Sequence, residues 1–208
     1  MVNSIAILDF GVGNLKSIEN MLRKAGVSGV SIARSPDGVA AAAKLILPGV
    51  GHFDNGMKKL RDSGLCDILN EKVLGEKVPV LGICLGAQML TNGSEEGVET
   101  GLGWIKARCE RFDIDKMQEP LSIPHMGWAD VTSKKKSPLT SDLPDEPRFY
   151  FTHSYHVVCE DPADVLLSAD YGVEFTAAIA RGNIFGTQFH PEKSHKFGMK
   201  ILANFAAL

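Results

Sequence analysis

Val78-Pro79-Val80-Leu81-Gly82-Ile83-Cys84-Leu85-Gly86 decides how this chain is read. A short apolar run ends in the pattern G-x-nucleophile-x-G, with cysteine in the nucleophile position. The pattern describes a sharp strand-to-helix turn that lifts the central side chain out at the edge of a sheet. Both glycines are needed, because a Cβ two residues to either side of the nucleophile would crowd that turn. The sulfur of Cys84 then faces the start of the next helix, where orphan N–H groups and the helix dipole favour an anion. The competing reading is a buried thiol after a core strand, since free cysteine is among the most buried residue types. On the local pattern alone, both readings stand.

Working outward, strand-like and helix-like segments alternate through the first half. Ile5-Ala6-Ile7-Leu8, Val30-Ser31-Ile32-Ala33 and Leu45-Ile46-Leu47 read as buried strands, the last stopped by Pro48-Gly49. Residues 17–25 read as a helix with Ile18, Met21, Leu22 and Ala25 at helical spacing. Residues 55–76 read as helical with a break at Ser63-Gly64, and residues 85–90 as a helix after Cys84. Such alternation argues a parallel α/β sheet, whose sites form beyond the carboxyl ends of the strands. Cys84 and Pro48-Gly49-Val50-Gly51 both fall on that edge. From residue 104 to 188 the pattern changes to short strands separated by turn signals, and residues 194–208 close the chain as a helix. The absence of a linker, repeat or low-complexity stretch makes residues 1–208 one domain, an α/β fold whose sheet gains antiparallel strands late.

Bulk properties narrow the partners. The chain has 208 residues, 44% hydrophobic and 23% charged, in the range of an ordinary globular protein. A net charge of -3 points away from nucleic acid or an anionic membrane as a general partner. Lys134-Lys135-Lys136 is the one cationic run and reads as a solvated loop. No apolar stretch is long enough to span a bilayer, and the start Met1-Val2-Asn3-Ser4 lacks a basic leader. The four cysteines, Cys66, Cys84, Cys109 and Cys159, form no C-x-x-C pair, so reduced thiols in a cytoplasm are expected. The histidines and cysteines lack ligand spacing, so neither metal nor cofactor is expected.

A thiolate nucleophile needs a base, and the base needs an orienting group. Among six histidines, His190-Pro191-Glu192 stands out. Pro191 biases His190 to an extended conformation, and residues two apart in an extended chain face the same side. His190 and Glu192 can then both point at one site, with Glu192 holding the imidazole tautomer. Taken alone the tripeptide is a polar turn closing a strand; beside Cys84 it completes a Cys-His-Glu triad. An acyl intermediate also needs oxyanion donors. The Leu85 amide, just after the nucleophile, is one. The turn containing Val50 and Gly51 offers a second, because glycine lets a peptide rotate its N–H toward the site. Gly11-Val12-Gly13-Asn14 lacks the third glycine of a dinucleotide fingerprint and reads as a turn, with Asn14 capping the helix that follows.

Together these motifs resemble the class I, or triad, glutamine amidotransferases, and within them the glutaminase subunits of imidazole glycerol phosphate synthases. The matching stretches are Pro48 to Gly51, Gly82 to Gly86, residues 9–15, Pro124-His125-Met126-Gly127-Trp128, Tyr150-Phe151-Thr152-His153-Ser154-Tyr155, and Gln188-Phe189-His190-Pro191-Glu192-Lys193-Ser194. They span nearly the whole chain in the family's order. The resemblance implies a three-layer, flavodoxin-like α/β fold with a mostly parallel central sheet. It implies that Cys84 attacks the side-chain amide of L-glutamine, that His190 protonates the departing ammonia, and that Glu192 orients His190. It assigns Gly49, Gln88, Glu96, Ser154 and Tyr155 to the glutamine pocket. Asn14, His125, Met126, Trp128 and Lys193 match the face toward a cyclase subunit. In a heterodimer, that subunit uses the ammonia to make imidazole glycerol phosphate and AICAR in histidine biosynthesis. The competing reading of Trp128 alone is a core aromatic.

Three positions depart from the usual pattern: Phe10 for tyrosine, Ala87 for methionine, and Ala129 for asparagine. The ending Ser194-His195-Lys196-Phe197-Gly198-Met199 is more similar to paralogues that feed a surface-sugar amidating synthase. That partner is the alternative expectation. A stand-alone cysteine hydrolase on the same fold is the more remote one.

Overall fold

The computed structural model describes residues 4–116 and 121–208. The reading that no leader precedes the first strand involves residues 1–3, which lie outside the described residues. Among the described residues, eleven strands share one sheet: β1 (Ile5–Leu8), β2 (Val30–Ala33), β3 (Lys44–Gly49), β4 (Val80–Cys84), β5 (Ala107–Arg111), β6 (His125–Ser133), β7 (Arg148–His153), β8 (Tyr155–Cys159), β9 (Val165–Asp170), β10 (Glu174–Arg181) and β11 (Ile184–Thr187). The helices are α1 (Leu15–Lys24), α2 (Pro36–Ala40), α3 (Phe53–Asp62), α4 (Cys66–Asn70), α5 (Leu85–Met89) and α6 (His195–Ala207). The strand order is β2-β1-β3-β4-β11-β10-β9-β6-β7, with β8 joined to β10 and β5 to β8.

The first five strands of that order are parallel, and everything beyond β11 is antiparallel. The parallel part is apolar on both faces, as a sheet covered by helices on each side must be. Ile5 and Ile7 belong to the core under α1 and α6, whereas Ala6 and Leu8 belong to the core under α3 and α4; all four are fully buried. The same alternation separates Ile46 from Leu45 and Leu47, because successive side chains of a strand point to opposite faces. The result combines the parallel sheet expected from the alternation of elements with the three-layer α/β fold that the resemblance implied.

Several local expectations are corrected. Strand β3 continues through Pro48-Gly49 instead of stopping there, and Pro48 lies opposite Ile83 in the β3–β4 ladder. Proline is tolerated because β1 pairs β3 only as far as Ile46, so no neighbour on that side asks for its missing N–H. The helical stretch over 55–76 does break at Ser63-Gly64, between α3 and α4, but α4 then runs on into a π-turn at Glu71–Gly75, which the sequence had not suggested. Short helix α2 escaped the periodicity because five residues are too few to show one. Lys135 is not merely solvated: its Nζ donates to the carbonyls of Ala163 and Ala180 and ties the loop to β10.

Loop 11–14 has a role beyond a turn. Asn14 does cap α1, accepting from the Ser17 N–H at 3.3 Å. Gly13, at φ +97°, also packs so closely that a Cβ would meet Pro48 Cβ at 2.9 Å. The first loop therefore buttresses the end of β3.

Candidate active site

Cys84 ends β4 and starts α5 with φ 53° and ψ −111°, a backbone conformation that L-residues rarely adopt. Its surroundings enforce that geometry. A Cβ on Gly82 would meet Ala87 backbone atoms at 2.7 Å, and one on Gly86 would meet the Leu47 carbonyl oxygen at 1.9 Å. Strand β3 brings Gly49 opposite Cys84, so the turn at Val50 and Gly51 sits beside the nucleophile.

In the other three cysteines burial disfavours the thiolate. Burial pushes Cys109 up to about 12 and Cys159 up to about 11, and it raises Cys66 as well.

His190 follows β11 at the same edge of the sheet. Its Nδ1–H donates to Glu192 Oε1 at 2.8 Å, and both side chains are 2% exposed. The pair meets because Pro191–Lys193 is a 3-10 turn that curls Glu192 back onto the ring. Alternation along an extended chain, the expected cause, is not the mechanism. The loop is fastened to β7: the His190 N–H donates to the Tyr150 carbonyl at 3.0 Å, while Ser194 Oγ donates to the His190 carbonyl at 2.7 Å and accepts from the Tyr150 N–H at 3.0 Å. Nε2 of His190 is buried and makes no well-formed hydrogen bond, which leaves it free to carry a proton. Burial opposes the imidazolium, but interactions with Cys84 and then Glu192 outweigh it and push the imidazole up to about 9.

Cys84 and His190 face one cavity of about 410 Å³, lined also by Val50, Gly51, Leu85, Gln88, Glu96, Ser154 and Tyr155. Nine of the residues expected from the catalytic, oxyanion and pocket motifs thus line it directly. Glu192 stands behind His190, and Gly49 is in the β3 ladder next to Cys84. Gln88 is 5% exposed, and its Nε2 donates to the Tyr155 carbonyl at 2.9 Å and to Gln188 Oε1 at 3.1 Å. Both amide protons are thereby used, so what Gln88 can offer a ligand is its carbonyl oxygen. Glu96 Oε2 accepts from the Phe53 N–H at 2.7 Å, which ties its loop to the start of α3.

The cavity is also lined by His52, Pro124, Thr152 and His153, for which the motifs had suggested no pocket role. His52 could have been suspected from its place just after Gly51. His153 carried no local signal: its Nδ1 bonds the Tyr155 carbonyl at 2.9 Å, and burial drives it down to about 3, so it stays neutral.

The expected partner residues do not all reach the surface. Met126 is 63% and Trp128 38% exposed, and Asn14 and Lys193 are exposed. Trp128 is therefore not a core aromatic; its ring stacks on His195 at 5.5 Å, and Lys193 Nζ lies 5.7 Å over the Tyr150 ring. His125 points the other way. It is 3% exposed and stacked on Tyr171 at 4.0 Å, because strand alternation sends it inward between its outward-facing neighbours.

Comparison with known proteins agrees with this architecture. The family model "Glutamine amidotransferase class-I" matches residues 6–208. A Methanococcus maripaludis protein named imidazole glycerol phosphate synthase subunit HisH 2 is 52% identical, over 97% of this chain and 98% of its own. The Pseudomonas aeruginosa protein of the same name is 50% identical, covering 98% and 99%. The Leptospira interrogans subunit HisH is 48% identical, covering 98% and 100%. Among solved structures, a glutamine amidotransferase superposes with a TM-score of 0.74 at 18% identity, covering 98% of this chain and 99% of its own, a likeness of fold. The chain belongs to the class I glutamine amidotransferases, enzymes that take ammonia from glutamine.

Proposed function

We propose that Cys84, His190 and Glu192 hydrolyse the side-chain amide of L-glutamine, and that the ammonia passes to a cyclase subunit of imidazole glycerol phosphate synthase docked on the Met126–Trp128 face. The observation that carries the chemistry is the buried His190–Glu192 pair, set on the same cavity as a thiol held at φ 53°. The Cys84 sulfur attacks the amide carbon, and the carbonyl electrons move onto oxygen. The N–H groups of Leu85 and of the Val50–Gly51 turn are the donors for that oxyanion. His190 Nε2–H protonates the amide nitrogen, the C–N bond breaks, and a γ-glutamyl thioester remains with free ammonia. Neutral His190 then takes a proton from water, which attacks the thioester. The thiolate leaves, and glutamate is released. Glu192 keeps Nδ1–H pointing at itself, so that Nε2 is the atom that shuttles the proton.

The acceptor in Gln88 suits the α-ammonium of an amino acid, and Glu96 adds a carboxylate to the same wall. The exposed Met126 and Trp128 give an apolar face on which ammonia could cross without being protonated by bulk water. The names of the relatives, each a subunit of imidazole glycerol phosphate synthase, support a synthase partner. Among the described residues, no helix is long and apolar enough to cross a membrane.

A second reading keeps the chemistry and changes the acceptor to a surface sugar. It rests on the divergent ending, because His195 of that ending stacks on Trp128 in the contact face. Co-expression with the candidate cyclase decides between them. A stable complex, with glutamine hydrolysis stimulated by the cyclase's substrate, supports the first reading. Complex formation with a sugar-modifying synthase alone overturns it. Full glutaminase activity of the isolated chain would instead favour a stand-alone hydrolase.

A further inference from the structure

Gln188 lies between β11 and His190, 2% exposed, and no part of the mechanism above uses it. Its Nε2 is 3.8 Å from Cys84 Sγ, and its Oε1 accepts from Gln88 Nε2 at 3.1 Å. The direction of both amides follows from one anchor. The Tyr155 carbonyl can only accept, so the nitrogen of Gln88 must face it. The second proton of that nitrogen needs an acceptor, so Gln188 must turn its oxygen to Gln88. Its NH2 is thereby aimed at the sulfur, and it cannot flip without orphaning a buried donor.

We propose that Gln188 is a positioning residue for the nucleophile: it donates an N–H to Cys84 Sγ, holds the sulfur toward the cavity and stabilises its anionic form, with Gln88 and the Tyr155 backbone fixing the donor's direction. The inference rests on the catalytic reading of Cys84. A donor stabilises a thiolate more than a thiol, because a hydrogen bond to a charged acceptor is roughly twice as strong as a neutral one. The relay also links the nucleophile to the wall of the substrate pocket, since Gln88 belongs to both.

The test is the pH profile of Cys84 alkylation by iodoacetamide, followed on the Cys84 peptide by mass spectrometry in the full chain. The titratable groups on the same cavity are His52, Glu96, His153, Tyr155 and His190, and all are unchanged in the variants. Gln188→Leu removes the donor at similar volume. Its profile should move about one pH unit to the alkaline side, a tenfold loss of reactive form at neutral pH. Gln88→Leu, which leaves Gln188 free to flip, should move it part of the way. With the partner present, kcat of Gln188→Leu should fall about tenfold with KM little changed. If wild-type Cys84 fails to alkylate, the catalytic reading itself is lost. If wild type alkylates and both variants keep its profile, only the role of Gln188 is overturned. Should Gln188→Leu fail to fold, Gln88→Leu and Gln188→Asn decide: an unshifted profile in both rejects the proposal.

Discussion

Gly86 and Leu47 leave no space between them: a Cβ on Gly86 would lie 1.9 Å from the Leu47 carbonyl oxygen and 2.8 Å from its carbon. Backbone of α5 is thus in direct contact with backbone of β3, and neither can yield as a flexible side chain could. Gly86→Ala should lose activity and destabilise the fold by roughly 3 kcal/mol or more, at the upper end of overpacking costs. Urea unfolding measures it. A variant of wild-type stability would mean that the turn is looser than described.

Gly13→Ala probes the same strand from its other side. A Cβ there would meet Pro48 Cβ at 2.9 Å, on a residue at φ +97°. The substituted residue has to shift, and Pro48 precedes the turn that carries Val50 and Gly51. Glutaminase kcat should drop about tenfold while Cys84 alkylation is retained, because the damage falls on the oxyanion side and not on the nucleophile. Equal losses in both assays would show that the loop supports Cys84 itself.

Some of this was legible in the residue order, and the reasons differ by element. The parallel strands announced themselves because burial on both faces leaves continuous apolar runs such as Ile5-Ala6-Ile7-Leu8. Cys84 and His190 were legible because glycines and a proline, whose backbone demands are specific, mark their turns. Gln188 could not be recognised, since an amide acquires a role only through Gln88, 100 residues away in sequence. His125 was misplaced for a related reason. Its neighbours Met126 and Trp128 face outward, and only the pairing of β6 with β7 shows which way the strand's alternate residues point.

His125 carries a pH signature. Its ring stacks on Phe151 and Tyr171 with Nδ1 buried and unpartnered, and burial drives it down to about 4. An unfolded imidazole takes up its proton near pH 6.5, so between pH 6.5 and 4 the unfolded state binds the extra proton. Stability therefore falls as the pH falls through that window. His125→Phe keeps the stacking and removes the titration. The slope of stability against pH below 6.5 should flatten by about 1.4 kcal/mol per pH unit, one proton's worth. Stability at pH 7 should hold or rise, because a buried unpaired nitrogen is gone. Urea midpoints measured from pH 7 to 5 check it, and an unchanged slope would place the proton uptake elsewhere, with His153 the next candidate.

Glu192→Gln separates orientation from charge at the base. The carboxylate accepts from His190 Nδ1–H at 2.8 Å with both side chains out of water, so it sets the tautomer and stabilises the imidazolium together. Glutamine nearly preserves the shape but removes the charge. It can also present its NH2 to Nδ1, which would move the ring proton to Nε2 and leave no base for the water step. A loss in kcat of about a hundredfold or more is expected, by analogy with other triads deprived of their acid. The charge makes a second demand. His190 is pushed up to about 9 partly by Glu192, so the protonated form needed to expel ammonia persists to that pH. Without the carboxylate, the alkaline limb of kcat should move to lower pH, while Gly13→Ala should lower the curve without moving it. A Glu192→Gln enzyme with reduced kcat and an unmoved alkaline limb, assayed with its partner bound, would show that the residue orients His190 without tuning it.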